Sequence, residues 1–292
     1  MINQNWAERV LLQEKIPIVS DAITSTVNRT SIRKVVKQTG FSYGTTQKIM
    51  RKHLNLYPYK IELHQSLTVS DKNQRVRFGD WLLNNLEKLP NILFSDESHF
   101  HLDGSISRHH CRIWSDCKPP NVLTKPLHPQ KVTVWFGFST KLAMKPYFFD
   151  RTIDQHAYLD LLQHHLRPYL AQHRQLSSVI FMQDGAPTHY AVTVRDYLNS
   201  TFTPARVISR GCEHPWPAHS PDLTPLDYWF WPTLKARVFH HNPPETINQL
   251  KARIEEECDR FTNEEMIAAI SNLPRRLELL LEVDGGHFEH LM

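Results

Sequence analysis

Features that define several protein classes are scarce or missing in this chain of 292 residues. It contains only four cysteines, and none of them forms a C-x-x-C pair, so neither a disulfide framework nor a structural zinc site is expected. No apolar run approaches the roughly 20 residues that a membrane-spanning helix requires, and the first residues do not resemble a secretion signal. We therefore expect an intracellular protein in a reducing compartment, without membrane contact.

Charge is plentiful but unevenly distributed. The formal net charge is +4, yet residues 29–77 hold eleven basic residues and two acidic ones, which leaves the rest of the chain net acidic. A basic region ahead of an acidic body is typical of a protein that binds a polyanion with one part and performs chemistry with another. The same bias also fits an ordinary solvated helical surface.

Two short helices joined by a glycine turn are predicted within residues 31–53. The first helix is expected over residues 31–38, Gly40 lies in the turn, and Ser42 is a candidate N-cap of the second helix. This order favours a helix-turn-helix, whose second helix enters the major groove of double-stranded DNA, although a generic helical hairpin has the same pattern. The candidate DNA contacts are Arg33, Lys34, Tyr43, Thr45, Gln47, Lys48, Arg51, Lys52 and Lys60.

The sequence predicts three segments. Residues 1–57 form a partial DNA-binding region, in which the weakly patterned residues 1–29 are expected to be a linker or part of a domain. Residues 58–89 form a basic linker followed by an amphipathic helix. Residues 90–292 contain apolar strand patterns at 91–95, 110–114, 131–138 and 179–182, and helical patterns at 154–170, 189–198, from 225, 245–257 and 263–273. This order predicts an α/β fold, a mixed sheet flanked by helices, after a small all-α segment.

Three aspartates occupy positions suited to a shared metal site. Asp96 and Asp184 each follow an apolar strand, and Asp227 lies on the first turn of a helix capped by Thr224. Ligands bind at the carboxyl ends of strands in open α/β sheets, and carboxylates are the ligands that Mg²⁺ prefers. Two such ions about 4 Å apart can clamp the attacking and leaving oxygens of a phosphoryl transfer. Each aspartate alone also fits a turn or capping role, so the prediction depends on their joint placement.

Three motifs together resemble the mariner/Tc superfamily of DNA transposases, and most closely its mariner-like members. They are FSDESHF at 94–100, MQDGAPTH at 182–189 and WPAHSPDLTPLDY at 216–228. Shorter matching segments lie at 57–60, 112–114, 125–130, 146–149 and 285–291.

The resemblance implies an RNase H-like domain with a catalytic, metal-binding DDE/D triad at Asp96, Asp184 and Asp227. It further implies two Mg²⁺ or Mn²⁺ ions, cleavage at transposon ends and strand transfer into target DNA. The expected partners are double-stranded DNA and a second copy of the chain, and the expected location is the nucleus. Asp222 is expected either to be structural or to support the triad from its surroundings. His189 is expected to approach the DNA or the metal's water shell, or to be a supporting or packing histidine.

The chain departs from the family pattern in two ways. It has one convincing helix-turn-helix unit where the family usually has two, and the interval between Asp184 and Asp227 is longer than usual, with a loop insertion expected at 199–213. These departures leave open a catalytically silent or truncated transposase-derived DNA-binding protein, or a regulatory partner of a full-length transposase.

Some neighbouring residues are given structural roles. Strand alternation predicts that Glu97 points away from the acid pocket. Trp229, Phe230 and Trp231 are expected in the core and in helix packing, and stacking on a flipped-out base is the alternative. His287 and His290 beside Glu289 fit either C-terminal packing or a ligand cluster.

Overall fold

The computed structural model describes residues 4–24, 31–57, 65–102, 130–240 and 243–292. Contacts divide the chain into two compact units, Met1–His64 and Gln65–Met292. None of the described helices combines the length and apolar character needed to cross a membrane. The predicted strand at 110–114 lies outside the described residues.

The first unit contains three helices, α1 (Gln4–Thr24), α2 (Ile32–Thr39) and α3 (Tyr43–Lys48), and α3 continues into a π turn at Ile49–His53. Ser31 and Ser42 cap α2 and α3 by accepting a backbone N–H bond. Gly40, with φ 70°, forms the left-handed turn between these helices. The two-helix arrangement predicted for residues 31–53 is therefore present.

Residues 1–29, for which the sequence leaves open a linker or part of a domain, contain helix α1 over Gln4–Thr24. Val19 of α1 is fully buried against Val35 and Ile49, with Ile16 and Ile23 packed beside it. These apolar positions lie three or four residues apart, on one helix face. Within the described side chains of α1, the stripe extends from Ile16 to Ile23, which is too short to give a strong sequence pattern.

A five-stranded mixed sheet forms the centre of the second unit. Its strands are β1 (Ile92–His101), β2 (Lys131–Phe138), β3 (Tyr147–Phe149), β4 (Ile180–Met182) and β5 (Val207–Ile208). The spatial order is β3-β2-β1-β4-β5, in which β1–β2 and β2–β3 are antiparallel and β1–β4 and β4–β5 are parallel. The predicted mixed sheet is confirmed.

Helices cover both faces of this sheet. Their bounds are α4 (Val69–Leu83), α5 (Gln155–Leu161), α6 (Arg167–Gln172), α7 (Val192–Phe202), α8 (Trp231–Phe239), α9 (Ile247–Asp259), α10 (Asn263–Ser271) and α11 (Leu273–Glu282). Alternate residues of the strands face opposite sides. In β4, for example, Ile180 and Met182 pack with α8–α11, whereas Phe181 packs with α5–α7.

Two details differ from the sequence-based expectation. The stretch 199–213 is not simply an inserted loop, because it contains the end of α7 and the edge strand β5. A strand of two residues is too short to produce a readable alternation. In addition, α4 belongs with the sheet unit, where it packs against α11.

Candidate active site

The parallel pairing of β1 with β4 places Asp96 and Asp184 at one edge of the sheet. The parallel pairing ends at Phe94 opposite Met182. Asp96 and Asp184 each lie two residues after these positions. Asp96 lies inside β1 rather than beyond its end, since antiparallel pairing with β2 continues through Asp96 opposite Phe136. The expected strand-end position is thus wrong for β1 as a whole, but it holds for the parallel part of the sheet.

Asp227 reaches the same site from a helical segment. A π turn at Leu226–Phe230 leads into α8, and Pro232 follows at the start of that helix. Thr224 organises the beginning of the turn, because its carbonyl accepts the amide of Asp227 at 3.1 Å and its Oγ1 accepts the amide of Leu226 at 3.3 Å. Wide turns of this kind recur at functional sites.

The charges of the three aspartates interact. Burial raises the pKa of Asp96 well above its ordinary value, and the charges of Asp227 and Glu97 and, more weakly, Asp184 raise it further. Burial followed by repulsion from Asp184 raises the pKa of Asp227 to about 6. The fold therefore brings three carboxyl groups close enough that their negative charges repel each other, which destabilises the folded protein when all three are ionised.

Two side chains of α8 oppose this repulsion, and the sequence did not reveal either role. The indole N–H of Trp231, expected in core packing or in base stacking, donates to Oδ2 of Asp96 at 2.7 Å. Lys235 is half-buried, which lowers its pKa, while the carboxylates of Asp227 and Asp96 raise it. Lys235 follows Asp227 by about two helical turns, and residues at such a spacing lie on similar sides of a helix. The sequence could therefore have predicted that Lys235 lies near Asp227.

His189 joins Asp184 to Glu97. Its Nδ1 lies 2.7 Å from Oδ1 of Asp184, and its Nε2 lies 3.4 Å from Oε1 of Glu97. Burial alone would lower the pKa of His189, but the two carboxylates outweigh burial and raise it to about 10. Glu97 is turned to the face of β1 opposite Asp96, as alternation predicts, yet it still belongs to the site through His189.

The same contact acts on Asp184. Burial raises the pKa of this carboxyl, but the hydrogen bond and charge of His189, together with the amide of Ala186 at 3.0 Å, lower it below its ordinary value. Asp184 is therefore held ionised, whereas Asp96 and Asp227 resist ionisation.

Asp222 lies outside this group. Its two carboxylate oxygens accept the Nη atoms of the fully buried Arg75 at 2.7 and 2.5 Å. Arg75 also donates to the carbonyl of Gly285 and to Oγ of Ser220. The ion pair joins α4 to the segment Ser220–Leu223. Because its guanidinium is buried in this pair, Arg75 contributes nothing to an exposed basic surface.

A second candidate metal group lies away from these aspartates. Within the described residues, Asp222, His287 and Glu289 form the one set of three side chains of metal-ligand type whose ligand atoms lie within 4.8 Å of each other. Both oxygens of Asp222 are occupied by Arg75, and Nε2 of His287 lies 2.8 Å from the carbonyl of Gln65. These contacts indicate C-terminal packing. Asp96, Asp184 and Asp227 do not meet that spacing.

The candidate DNA contacts of the first unit are distributed over α2, α3 and the π turn. The side chains of Arg33, Lys34, Tyr43, Lys48, Arg51 and Lys52 are exposed, and those of Thr45 and Gln47 are half-buried. The hydroxyl of Thr45 already bonds to Oγ of Ser42 at 2.9 Å. Lys60 lies outside the described residues.

Comparisons with known proteins agree with this geometry. A family model described as DDE superfamily endonuclease matches residues 91–251, more than half of the chain. The Tc3 transposase of Caenorhabditis elegans is 25% identical over 273 residues, which cover 92% of this chain and 74% of that protein.

Solved structures share the fold. The Mos1 transposase paired-end complex with left transposon end matches 94% of this chain and 80% of its own, with 19% identity and a TM-score of 0.71. The Mos1 transposase catalytic domain with Raltegravir and Mn matches 77% of this chain and 100% of its own, with 22% identity and a TM-score of 0.59. The sheet is therefore of the RNase H-like type found in that domain.

Proposed function

The chain belongs to the DDE superfamily of endonucleases, and we propose that this enzyme is a mariner/Tc-type transposase that cuts DNA at transposon ends and transfers the freed strand to target DNA. The observation that carries the proposal is the convergence of Asp96, Asp184 and Asp227, whose charges interact at one edge of the sheet. The proposed catalytic residues are these three aspartates.

The three carboxylates fit a divalent cation. They are hard oxygen donors of the kind that Mg²⁺ and Mn²⁺ prefer, and the raised pKa values of Asp96 and Asp227 mark a site where added positive charge is stabilising. We propose that the triad holds two such ions. When bound, they supply Lewis-acid activation of the attacking oxygen and stabilise the leaving oxygen of the phosphodiester.

The surrounding side chains then have distinct tasks. His189 orients Asp184 and keeps it ionised, and Trp231 fixes one oxygen of Asp96. Lys235 adds a half-buried positive charge beside Asp227 and Asp96, where it can attract a phosphate. Charged groups fixed before the substrate binds need no reorganisation during the reaction.

The first unit supplies DNA binding in this proposal. Its exposed basic residues and Tyr43 surround the second helix of the helix-turn-helix, the element that enters the major groove in such motifs. The similar Mos1 transposase structure is a paired-end complex with a transposon end. By analogy, we propose that this chain acts as a homodimer on double-stranded DNA, in the nucleus.

The test is cleavage of supercoiled plasmid DNA carrying transposon ends, with Mg²⁺ or Mn²⁺. Wild-type protein is expected to nick and linearise it, and Asp184→Asn is expected to bind the same DNA without cutting it. Asp196→Asn, which changes an exposed aspartate on α7, is the matched control and keeps activity. Cutting by Asp184→Asn contradicts the mechanism. Binding without cutting by the wild type identifies the catalytically silent alternative.

A further inference from the structure

Beside the Asp184 loop, two arginines pack on one tyrosine ring. The guanidinium carbons of Arg195 and Arg210 lie 4.5 and 4.7 Å from the ring centroid of Tyr190. Tyr190 precedes α7, Arg195 lies on the first turns of α7, and Arg210 follows β5. We call these three residues the Tyr190 cluster. Two chain segments, the start of α7 with the residues before it and the turn after β5, therefore bring two positive charges to one site.

The turn after β5 is shaped to hold this arrangement. Gly211 adopts φ +73°, and a Cβ placed there would lie 2.6 Å from Cε2 of Tyr190. A side chain at this position would displace the ring. Glycine is thus required both by the backbone conformation and by the close approach of the tyrosine.

The cluster adjoins the proposed catalytic centre. Tyr190 directly follows His189, the partner of Asp184. A Cβ placed on Gly185, the residue after Asp184, would lie 3.4 Å from Cβ and Cδ of Arg210. The side chain of Arg210 therefore runs along the loop that positions Asp184.

The two arginine charges lack an acidic counter-charge among the described residues. No carboxylate in the described part of the chain forms a salt bridge with Arg195 or Arg210. Nε of Arg195 is buried and lacks a hydrogen-bond partner among the described groups, while Tyr190 is 38% exposed. Stacking on an aromatic ring fixes a guanidinium and leaves its N–H groups free for a phosphate.

We propose that the Tyr190 cluster binds backbone phosphates of the DNA strand that flanks the scissile phosphodiester on the Asp184 side. The inference rests on the proposed function for its ligand. Arg195 and Arg210 contact the phosphates, and Tyr190 holds the guanidiniums in position. Phosphate contacts of this kind set the register of a strand without reading its sequence.

The salt dependence of binding tests this proposal. Full-length protein is titrated with a labelled transposon-end duplex in EDTA, from about 50 to 200 mM salt, where each phosphate contact contributes about 0.9 to the slope of log K against log salt. Arg195→Gln and Arg210→Gln are each expected to flatten the slope by about 0.9, and the double variant by about twice that. Arg167→Gln, which removes an exposed arginine of α6, is the charge-matched control.

A second variant separates orientation from charge. Tyr190→Leu retains both arginines, so it is expected to weaken binding by about tenfold while the salt slope stays near the wild-type value. Circular dichroism of every variant establishes that the fold is retained. A wild-type slope and affinity in the double arginine variant overturns the proposal.

Failure of the Tyr190-cluster proposal can be distinguished from failure of the proposed endonuclease function. A wild-type protein that cuts plasmid, with a double arginine variant of unchanged slope, refutes the cluster and retains the endonuclease. A flattened slope in a protein that never cuts retains the cluster and refutes the endonuclease.

Discussion

Asp222 and Asp227 lie in the same sequence motif, yet the side chains around them differ: one carboxylate is paired with an arginine, and the other is near further carboxylates. Asp222 is 4% exposed and fully matched, because Arg75 donates to both of its oxygens. Asp227 faces the charge of Asp184 and has a pKa raised to about 6, chiefly by burial. A buried acid with a complete partner is a structural element, whereas buried acids that repel each other are retained at the expense of stability. The comparison supports a structural role for Asp222 and is consistent with the catalytic role that we propose for Asp227.

The largest effect is expected for Asp227→Asn. Loss of this carboxylate should reduce cleavage by about a thousandfold, because the amide cannot replace an ionised ligand. The unfolding temperature of metal-free protein should stay equal or rise, since a source of repulsion is removed. Cleavage rates and thermal melts in EDTA check both parts. A variant that melts well below the wild type contradicts the assignment.

Asp222→Asn should show the reverse pattern. It leaves the guanidinium of Arg75 buried without its counter-charge, which typically costs about 3–5 kcal/mol of unfolding free energy. Urea denaturation measures this loss. The double variant Arg75→Met with Asp222→Leu removes both charges and should be more stable than Asp222→Asn alone. Equal stability of Asp222→Asn and wild type would show that the pair is not structural.

His189→Gln sharpens the comparison within the active site. Supporting residues of this kind typically contribute about 10- to 100-fold to metal affinity or activity. Without His189, burial is expected to raise the pKa of Asp184, so Mn²⁺ binding should be lost at a higher pH than in the wild type. Calorimetric Mn²⁺ titrations across the pH range measure the shift. An unchanged pH profile would contradict the role given to His189.

Trp231→Phe is expected to have a smaller effect. Phenylalanine keeps an aromatic ring but is smaller than the buried indole, and the N–H that donates to Asp96 at 2.7 Å is lost. We expect Mn²⁺ affinity to fall by about tenfold and the melting temperature to fall modestly, because the smaller ring leaves a cavity. Trp229→Phe, which changes a tryptophan without a bond to the aspartates in the described structure, serves as the control.

The smallest expected effect is on how the stability of the protein changes with pH. Because the folded pKa of Asp227 is about 6, above its ordinary value, the folded state holds this proton more tightly than the unfolded state. The unfolding free energy contributed by this group therefore decreases as pH rises from the ordinary pKa to about 6. Asp227→Asn should abolish that decrease, and melts in EDTA across this range measure it. An identical pH dependence in both proteins would refute the raised pKa.

The sequence predicted the parts of this account that depend on local pattern. The strand at 131–138 and the Ser42 cap are confirmed, because strand pattern and capping are encoded by neighbouring residues. The contact of Trp231 with Asp96 and the pairing of Arg75 with Asp222 join residues far apart in the chain. No local pattern encodes such contacts, so they required the tertiary structure.

The central claim is tested most directly by an anomalous difference map from a crystal of the protein grown with Mn²⁺. The account predicts peaks in contact with the carboxylates of Asp96, Asp184 and Asp227. A map with Mn²⁺ only at Asp222, His287 and Glu289, or with none at the triad at saturating Mn²⁺, would contradict it.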